Sequence, residues 1–200
     1  MAISEQQATS PYAGRRMTLE EFLRLPAQEP ALEFEDGMVT QKVSPKRFHG
    51  RGQFKLGQEL ARAGEDTGLG QVFTETRFKT SGWAPVPDIS FYLMERIAPL
   101  PDDLDDDFDV PPDIAVEVSS PDQSVGELVR KCLRYAALGV PISLLVAIED
   151  RTVFVFRPGQ QTLALRGADT IDLSDVLPAF DLTVDGLFAM IRPERPRPNS

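Results

Sequence analysis

One stretch of the sequence decides the fold: Pro111-Pro112-Asp113-Ile114-Ala115-Val116-Glu117-Val118-Ser119-Ser120-Pro121. Its near-continuous apolar run is typical of a strand that is covered on both faces. Glu117 interrupts that run, and a buried carboxylate is costly unless a cation, a hydrogen-bond network or a metal ion compensates it. The stretch therefore predicts a central strand that carries a compensated acidic group.

Two further acids occupy comparable positions. Asp88 opens a second apolar run, and Glu33 lies in a short strand that alternates apolar and acidic residues. Three carboxylates brought together repel unless a divalent cation lies among them, and such a site activates water and stabilises charge on a phosphate. Lys131, on the helix after the Glu117 strand, could orient that water. The spacing alone leaves open that the acids are ordinary strand residues and that Lys131 is a surface lysine.

The order of elements indicates the fold class. We predict an α+β fold with an α/β-like core, in which helices flank a central mixed β-sheet, and in which a helix over residues 125–138 links two neighbouring parallel strands. Residues 17–191 are predicted to form a single domain. The remaining segments are predicted as a disordered arm over residues 1–16, an exposed loop over residues 95–112 and a disordered tail over residues 192–200.

Composition limits the classes of protein and metal site. The sequence is 42% hydrophobic and contains no apolar run long enough for a membrane span, so we expect no membrane partner. Its one cysteine, Cys132, cannot form an internal disulfide, and with no export signal we expect a cytoplasmic protein. One cysteine and one histidine, His49, exclude a zinc site built from those residues. Any metal would be held mainly by oxygens, which favours Mg²⁺, Mn²⁺ or Ca²⁺.

The charges are unevenly distributed. A net charge of −10 argues against a nucleic-acid partner, but six aspartates in residues 102–109 account for much of it. Residues 42–62 carry a local charge of +5. We predict that this segment contacts phosphates through Lys46, Arg47, Arg51 and Lys55, with a solvated charged helix as the alternative.

Four motifs carry a resemblance to a known family, and they follow one another in the order Leu32–Gly37, Pro87–Ile89, Pro112–Pro121 and Lys131–Pro141. Together they resemble the Uma-two family of bacterial restriction-endonuclease-like proteins, a branch of the PD-(D/E)XK nuclease superfamily. The resemblance covers residues 17–190 and implies a restriction-endonuclease-like core. It also implies that Asp88 and Glu117 bind a metal ion with support from Glu33, and that Lys131 replaces the lysine that the superfamily places at Ser119.

The resemblance and the acids together predict a site in which Asp88, Glu117 and the backbone carbonyl of Val118 bind one cation. Two positions have no assigned role: His49 lies where the family often has a histidine, and Ala147 stands where the family often has aspartate.

The leading hypothesis is a DNA endonuclease that depends on Mg²⁺ or Mn²⁺. Its alternatives are a catalytically idle binding module and a hydrolase of another phosphate ester, because fold does not imply function. A homodimer is expected, since cutting both strands of a duplex requires two active sites. No motif for reading bases is evident, so the sequence predicts no recognition site.

Overall fold

The structure is a computed structural model that describes residues 9–100, 107–121 and 123–192. The helices are α1 (Leu19–Leu23), α2 (Arg47–Gly64), α3 (Met94–Ile97), α4 (Val125–Ala137) and α5 (Val184–Ile191). The strands are β1 (Leu32–Glu35), β2 (Met38–Gln41), β3 (Gly70–Thr74), β4 (Trp83–Ala84), β5 (Ile89–Leu93), β6 (Ile114–Val118), β7 (Ile142–Ala147), β8 (Thr152–Phe156) and β9 (Leu163–Leu165).

The stretch around Glu117 forms β6, near the middle of a six-stranded sheet with the order β3-β5-β6-β7-β8-β9. β6 and β7 are parallel, and the other neighbouring pairs are antiparallel. Every residue of β6 and β7 is buried, as expected for strands covered on both faces. The predicted mixed sheet and the helix that links its parallel strands are therefore confirmed.

The two faces of the sheet pack against different helices. Ile114, Val116 and Val118 belong to the core that includes α2 and α5, whereas Ala115 packs with residues of α4. Side chains alternate between faces along a strand, so Glu117 points toward α4. None of the helices in the described part of the chain is both long and apolar enough to span a membrane.

A second, three-stranded sheet has the order β2-β1-β4 and carries Glu33 on its central strand. Residues 9–16, which we predicted to be disordered, instead lie against this sheet. Gly14 N donates to Val39 O over 2.8 Å, and Val39 N donates to Arg15 O over 3.0 Å. The segment orders because it satisfies backbone groups that the edge strand β2 would otherwise leave unpaired.

In three other places the structure differs from the sequence predictions or does not describe the predicted segment. The sequence of residues 72–78 is typical of a strand, but β3 ends at Thr74, because Glu75 adopts a left-handed φ of 53°. The predicted exposed loop over residues 95–112 contains part of α3, and Pro112 is buried. The remaining parts of the predicted loop, arm and tail, namely residues 101–106, 1–8 and 193–200, lie outside the described residues.

Close packing between α2 and β5 leads to a stability prediction. A Cβ atom added at Gly64 would lie 2.3 Å from Cε2 of Phe91, a fully buried ring, whereas a Cβ at Gly57 of the same helix would meet nothing within 4 Å. We expect Gly64→Ala to lower the free energy of unfolding by about 1–3 kcal/mol through overpacking. Gly57→Ala is the matched control and should raise it by up to about 1 kcal/mol. Urea unfolding measures both, and a stabilised Gly64→Ala variant would contradict this packing.

Candidate active site

The four residues proposed as catalytic come together from four elements. Asp88 precedes Ile89 of β5, which pairs with Val116 of β6, so Asp88 and Glu117 hold neighbouring positions on adjacent strands. Both residues are almost completely buried, at 2% and 1% exposure. Glu33 reaches the same place from β1 and Lys131 from α4.

Lys131 joins two of the carboxylates. Its Nζ lies 2.6 Å from Glu33 Oε1 and 2.9 Å from Glu117 Oε1, and it also donates to Val86 O over 3.3 Å. Burial acts to lower the pKa of Lys131, but Glu117 and Glu33 outweigh that effect and raise the pKa above its ordinary value. The lysine is therefore a fixed positive charge within the cluster and not a solvated surface group.

Glu117 is the most deeply buried carboxylate of the cluster. Its Oε1 accepts a hydrogen bond of 2.8 Å from the Tyr135 hydroxyl, one helical turn beyond Lys131 on α4. Burial raises the pKa of Glu117 to about 7 even though Lys131 acts in the opposite direction. The site thus contains a carboxyl group whose ionised form would be stabilised by a further positive charge.

Asp88 is paired with a lysine whose role was not predicted. Its Oδ1 lies 2.6 Å from Nζ of Lys42, and its Oδ2 accepts from Val118 N over 2.7 Å. Lys42 also lies 2.6 Å from Glu75 Oε2. Burial acts most strongly and would raise the pKa of Asp88, but Lys42, Lys131 and the other groups that favour the charged form together outweigh it, so that the pKa falls below its ordinary value.

The charges and the chemistry of the donor atoms fit a divalent cation. The ammonium groups of Lys42 and Lys131 pair with four carboxylates, those of Glu33, Glu75, Asp88 and Glu117. Because the carboxylates outnumber the ammonium groups, negative charge remains in excess when all of them are ionised. Buried carboxylate oxygens are the ligands that Mg²⁺ and Mn²⁺ prefer. Coordination by the Val118 carbonyl stays a prediction.

Sequence reasoning missed several members of the site. Lys42 was predicted only as part of the basic segment over residues 42–62, and no role in the site was predicted for Glu75 or Tyr135. Gln53 had no predicted role, although its Nε2 donates to Glu75 Oε1 over 3.0 Å and to Asp88 O over 2.8 Å. Of these residues, only Tyr135 could have been found from the sequence, because it lies four residues after Lys131 and therefore on the same face of α4.

The basic residues predicted to contact phosphates lie on α2, the helix that carries Gln53, except for Lys46, which immediately precedes it. Lys46, Arg47 and Arg51 are exposed, and Lys55 is half-buried. Arg47, Arg51 and Lys55 recur every fourth residue and so share one side of the helix. Arg51 Nε donates to Met190 O over 2.8 Å, which directs this side toward α5. Binding of nucleic acid by these residues stays a prediction.

An open pocket of about 770 Å³ borders the cluster at Glu75 and Val86. Phe73, Arg77 and Asp107 also line this pocket. Ala147, where the family often has aspartate, is buried in β7 opposite Thr152.

The mixed sheet flanked by helices, with buried carboxylates and a lysine gathered at its central strands, is the restriction-endonuclease-like arrangement predicted from the sequence. Comparison with known proteins agrees. One similar protein is known from a crystal structure described as "a putative nuclease belonging to DUF820" from Anabaena variabilis, and its sequence is 28% identical to this one. The two structures superpose with a TM-score of 0.83, and the aligned region covers 88% of this chain and 99% of that chain. A search of curated proteins found no match.

Residues 19–185 match the sequence profile of the Uma2 family, which is described as "Putative restriction endonuclease". The chain belongs to this family. The resemblance seen in the four sequence motifs is thereby confirmed.

Proposed function

We propose that this protein is a metal-dependent DNA endonuclease that hydrolyses phosphodiester bonds by attack of water. The observation that carries the proposal is the convergence of Glu33, Asp88 and Glu117 with Lys131 in one largely buried cluster. Membership of the Uma2 family and the similarity to a nuclease structure support the reaction class.

Asp88 and Glu117 would hold the metal ion, with Glu33 and the Val118 carbonyl in support. Mg²⁺ or Mn²⁺ bound there would supply an activated water and would stabilise negative charge on the phosphate. Lys131 would offset the negative charge that builds on the phosphate oxygens. Glu33 and Tyr135 keep Lys131 and Glu117 in place through bonds of 2.6 Å and 2.8 Å, respectively.

A catalytically idle binding module is the second candidate, because the net charge is −10 and Lys42 pairs with Asp88. Thermal melting with and without Mg²⁺ or Mn²⁺ separates the two candidates. A nuclease centre should be stabilised by the divalent ion, since a ligand that binds only the folded state raises its stability. An idle module should melt at the same temperature with and without the ion.

The substrate class requires a separate experiment. Covalently closed circular DNA reports cleavage within a strand, because it has no ends for an exonuclease to attack. Incubation with Mg²⁺ or Mn²⁺ should convert supercoiled circles to nicked or linear forms. If the protein cleaves a small chromogenic phosphate ester but leaves the DNA circles intact, the result would instead support the hydrolase of another phosphate ester.

Analytical ultracentrifugation tests the proposed homodimer, which would bring one active site to each strand of a duplex.

DNA affinity should depend on the basic residues at the start of α2. Replacing Lys46, Arg47 and Arg51 by alanine should weaken binding and reduce the slope of log K against log salt by about one for each phosphate that is no longer neutralised. Fluorescence anisotropy at several salt concentrations measures that slope. Arg62→Ala, about 20 Å further along the same helix, is the control and should leave the slope unchanged. An unchanged slope in the triple variant would contradict the assignment.

A further inference from the structure

Helix α2 presents an aromatic side chain to solvent. Phe54 is 58% exposed, which makes it the most exposed aromatic residue in the described part of the chain. Single exposed apolar residues are common on protein surfaces, so exposure alone indicates no function. The groups around the ring are what point to a ligand, because they combine positive charge with open space.

Phe54 lies in the middle of the outward stripe of α2. The exposed residues of this helix are those at positions 47, 51, 54, 58 and 62, a spacing that places them on one side. Residues 43–58 contain no acid, and their charged residues are all basic. Lys55 Nζ lies 5.2 Å from the centroid of the Phe54 ring, and Arg51 lies one helical turn before it. The ring is therefore surrounded by cations.

Two glycines leave space beside the ring. Gly50 and Gly57 stand four residues before and three residues after Phe54, at positions whose side chains neighbour it on the helix surface. A Cβ atom added at either glycine would meet nothing within 4 Å. No side chain therefore covers the ring from these two positions, and a flat ligand can approach it there.

This surface lies next to the candidate active site. Gln53 Nε2 donates to Asp88 O over 2.8 Å and to Glu75 Oε1 over 3.0 Å. Phe54 is the next residue of α2 and points about 100° further round the helix axis. A nucleic-acid strand with one phosphate at the acidic cluster would need only a few more nucleotides to reach the ring.

The chemistry of the surface favours an unpaired strand over the other occupants. Bases in a duplex are stacked on one another and present only their edges in the grooves, whereas an unpaired base offers its flat face. Aromatic rings beside cations are the usual means of binding single strands. A second protein chain is disfavoured, because the centres of protein interfaces are depleted of charged residues.

We propose that Phe54 stacks on an unpaired base while the cations of α2 contact the phosphates on either side. The substrate class is then DNA that contains a single-stranded segment. This inference rests on the proposed function, because it takes DNA as the ligand of α2, and it extends that function by naming the form of DNA. No sequence preference is expected at the ring, since every base has a flat face.

Fluorescence anisotropy in excess chelator, which prevents cleavage, tests the proposal with a labelled thymidine oligonucleotide and a duplex of the same length. Phe54→Ala should weaken single-strand binding by about 5- to 100-fold, the usual range for one stacked base, and should leave duplex binding unchanged. Phe54→Tyr should keep the affinity, whereas Phe54→Leu, which is apolar but not flat, should lose it. Leu133→Ala removes a 49% exposed side chain of α4 and is the control that should bind like the wild type.

An oligonucleotide of abasic sites identifies the base as the partner of the ring. The wild-type protein should bind it about as weakly as Phe54→Ala binds the thymidine strand, and Phe54→Ala should cause no further loss. Because the Phe54 side chain is largely exposed, its replacement should leave the melting temperature nearly unchanged. Thermal melting therefore confirms that a loss of affinity does not come from unfolding.

Equal single-strand affinity in the wild type and Phe54→Ala would overturn the stacking role, and metal-dependent nicking of circular DNA would then leave the proposed nuclease standing. Equal weakening on single strands and duplex would overturn the assignment to an unpaired base. Loss of self-association in Phe54→Ala, with DNA affinity unchanged, would make the ring a contact between two copies and would also overturn the proposal. A wild-type chain that neither binds nor nicks DNA would overturn the proposed function as well.

Discussion

Asp88→Asn is expected to reduce phosphodiester cleavage by at least about 10³-fold, the upper end of the loss caused by removing one transition-state-stabilising group. Asp88 is the proposed metal ligand at the start of β5 and the acid that pairs with Lys42 over 2.6 Å. Asparagine keeps the size of the side chain and can still accept from Val118 N, but it lacks the charge that binds a cation. We therefore expect the variant to fold and to lose its metal-dependent stabilisation.

The matched control is Asp113→Asn. Asp113 is also a buried aspartate, 3% exposed, and it precedes the neighbouring strand β6. Its carboxylate accepts from Leu93 N over 2.9 Å and pairs with Arg96 over 2.8 Å, so its role is structural. Asp113→Asn should lower the melting temperature while the folded fraction cleaves at the wild-type rate. Equal loss of cleavage in both variants would mean that Asp88 acts through stability alone.

Lys131→Met is expected to lower the single-turnover cleavage rate by about 10²-fold or more, because it removes the positive charge nearest to Glu117. From the sequence alone, removal of Lys131 would be expected to leave folding nearly intact, because the ammonium would lie outside the apolar core. The structure instead pairs it with Glu33 and Glu117, so its loss leaves two carboxylates uncompensated. We expect a destabilisation of up to about 3 kcal/mol, which uptake of a proton by Glu117 would reduce.

Arg130→Met is the matched control for Lys131→Met. Arg130 is the neighbouring cation on α4, and its side chain is 73% exposed. Its removal should change neither the cleavage rate nor the stability. Lys131→Arg should not fully restore cleavage, because a planar guanidinium does not reproduce a compact ammonium. Wild-type rates in Lys131→Met would remove Lys131 from the catalytic set.

The main elements of the fold could be predicted because local patterns and long-range packing agree. The buried runs around Val116 and Leu144 required strands covered on both faces, and the helix of residues 125–137 between them required a parallel crossover. Glu33, Asp88, Glu117 and Lys131 could be singled out because charged residues in or beside apolar runs need compensation.

The residues that neutralise or bond to these charged groups could not be predicted, because their positions depend on tertiary contacts and not on the periodicity of the sequence. Lys42 follows β2 and is 46 residues from Asp88 in sequence, so that only the docking of the two sheets brings them together. Glu75 reaches the cluster because its backbone leaves the strand in a left-handed conformation. Residues 9–16 were predicted as disordered from composition alone, although their backbone completes the edge beside β2.

We propose that a metal ion bound at Asp88 and Glu117 supports hydrolysis of DNA, and one measurement tests this most directly. Supercoiled circular DNA is incubated in parallel with wild-type protein and with Asp88→Asn, in Mg²⁺ or Mn²⁺ and in excess chelator, and the rate of nicking is followed. We predict nicking by the wild-type protein that requires the metal ion and is lost in Asp88→Asn. Nicking that persists in the chelator, or that proceeds equally in Asp88→Asn, would contradict the account.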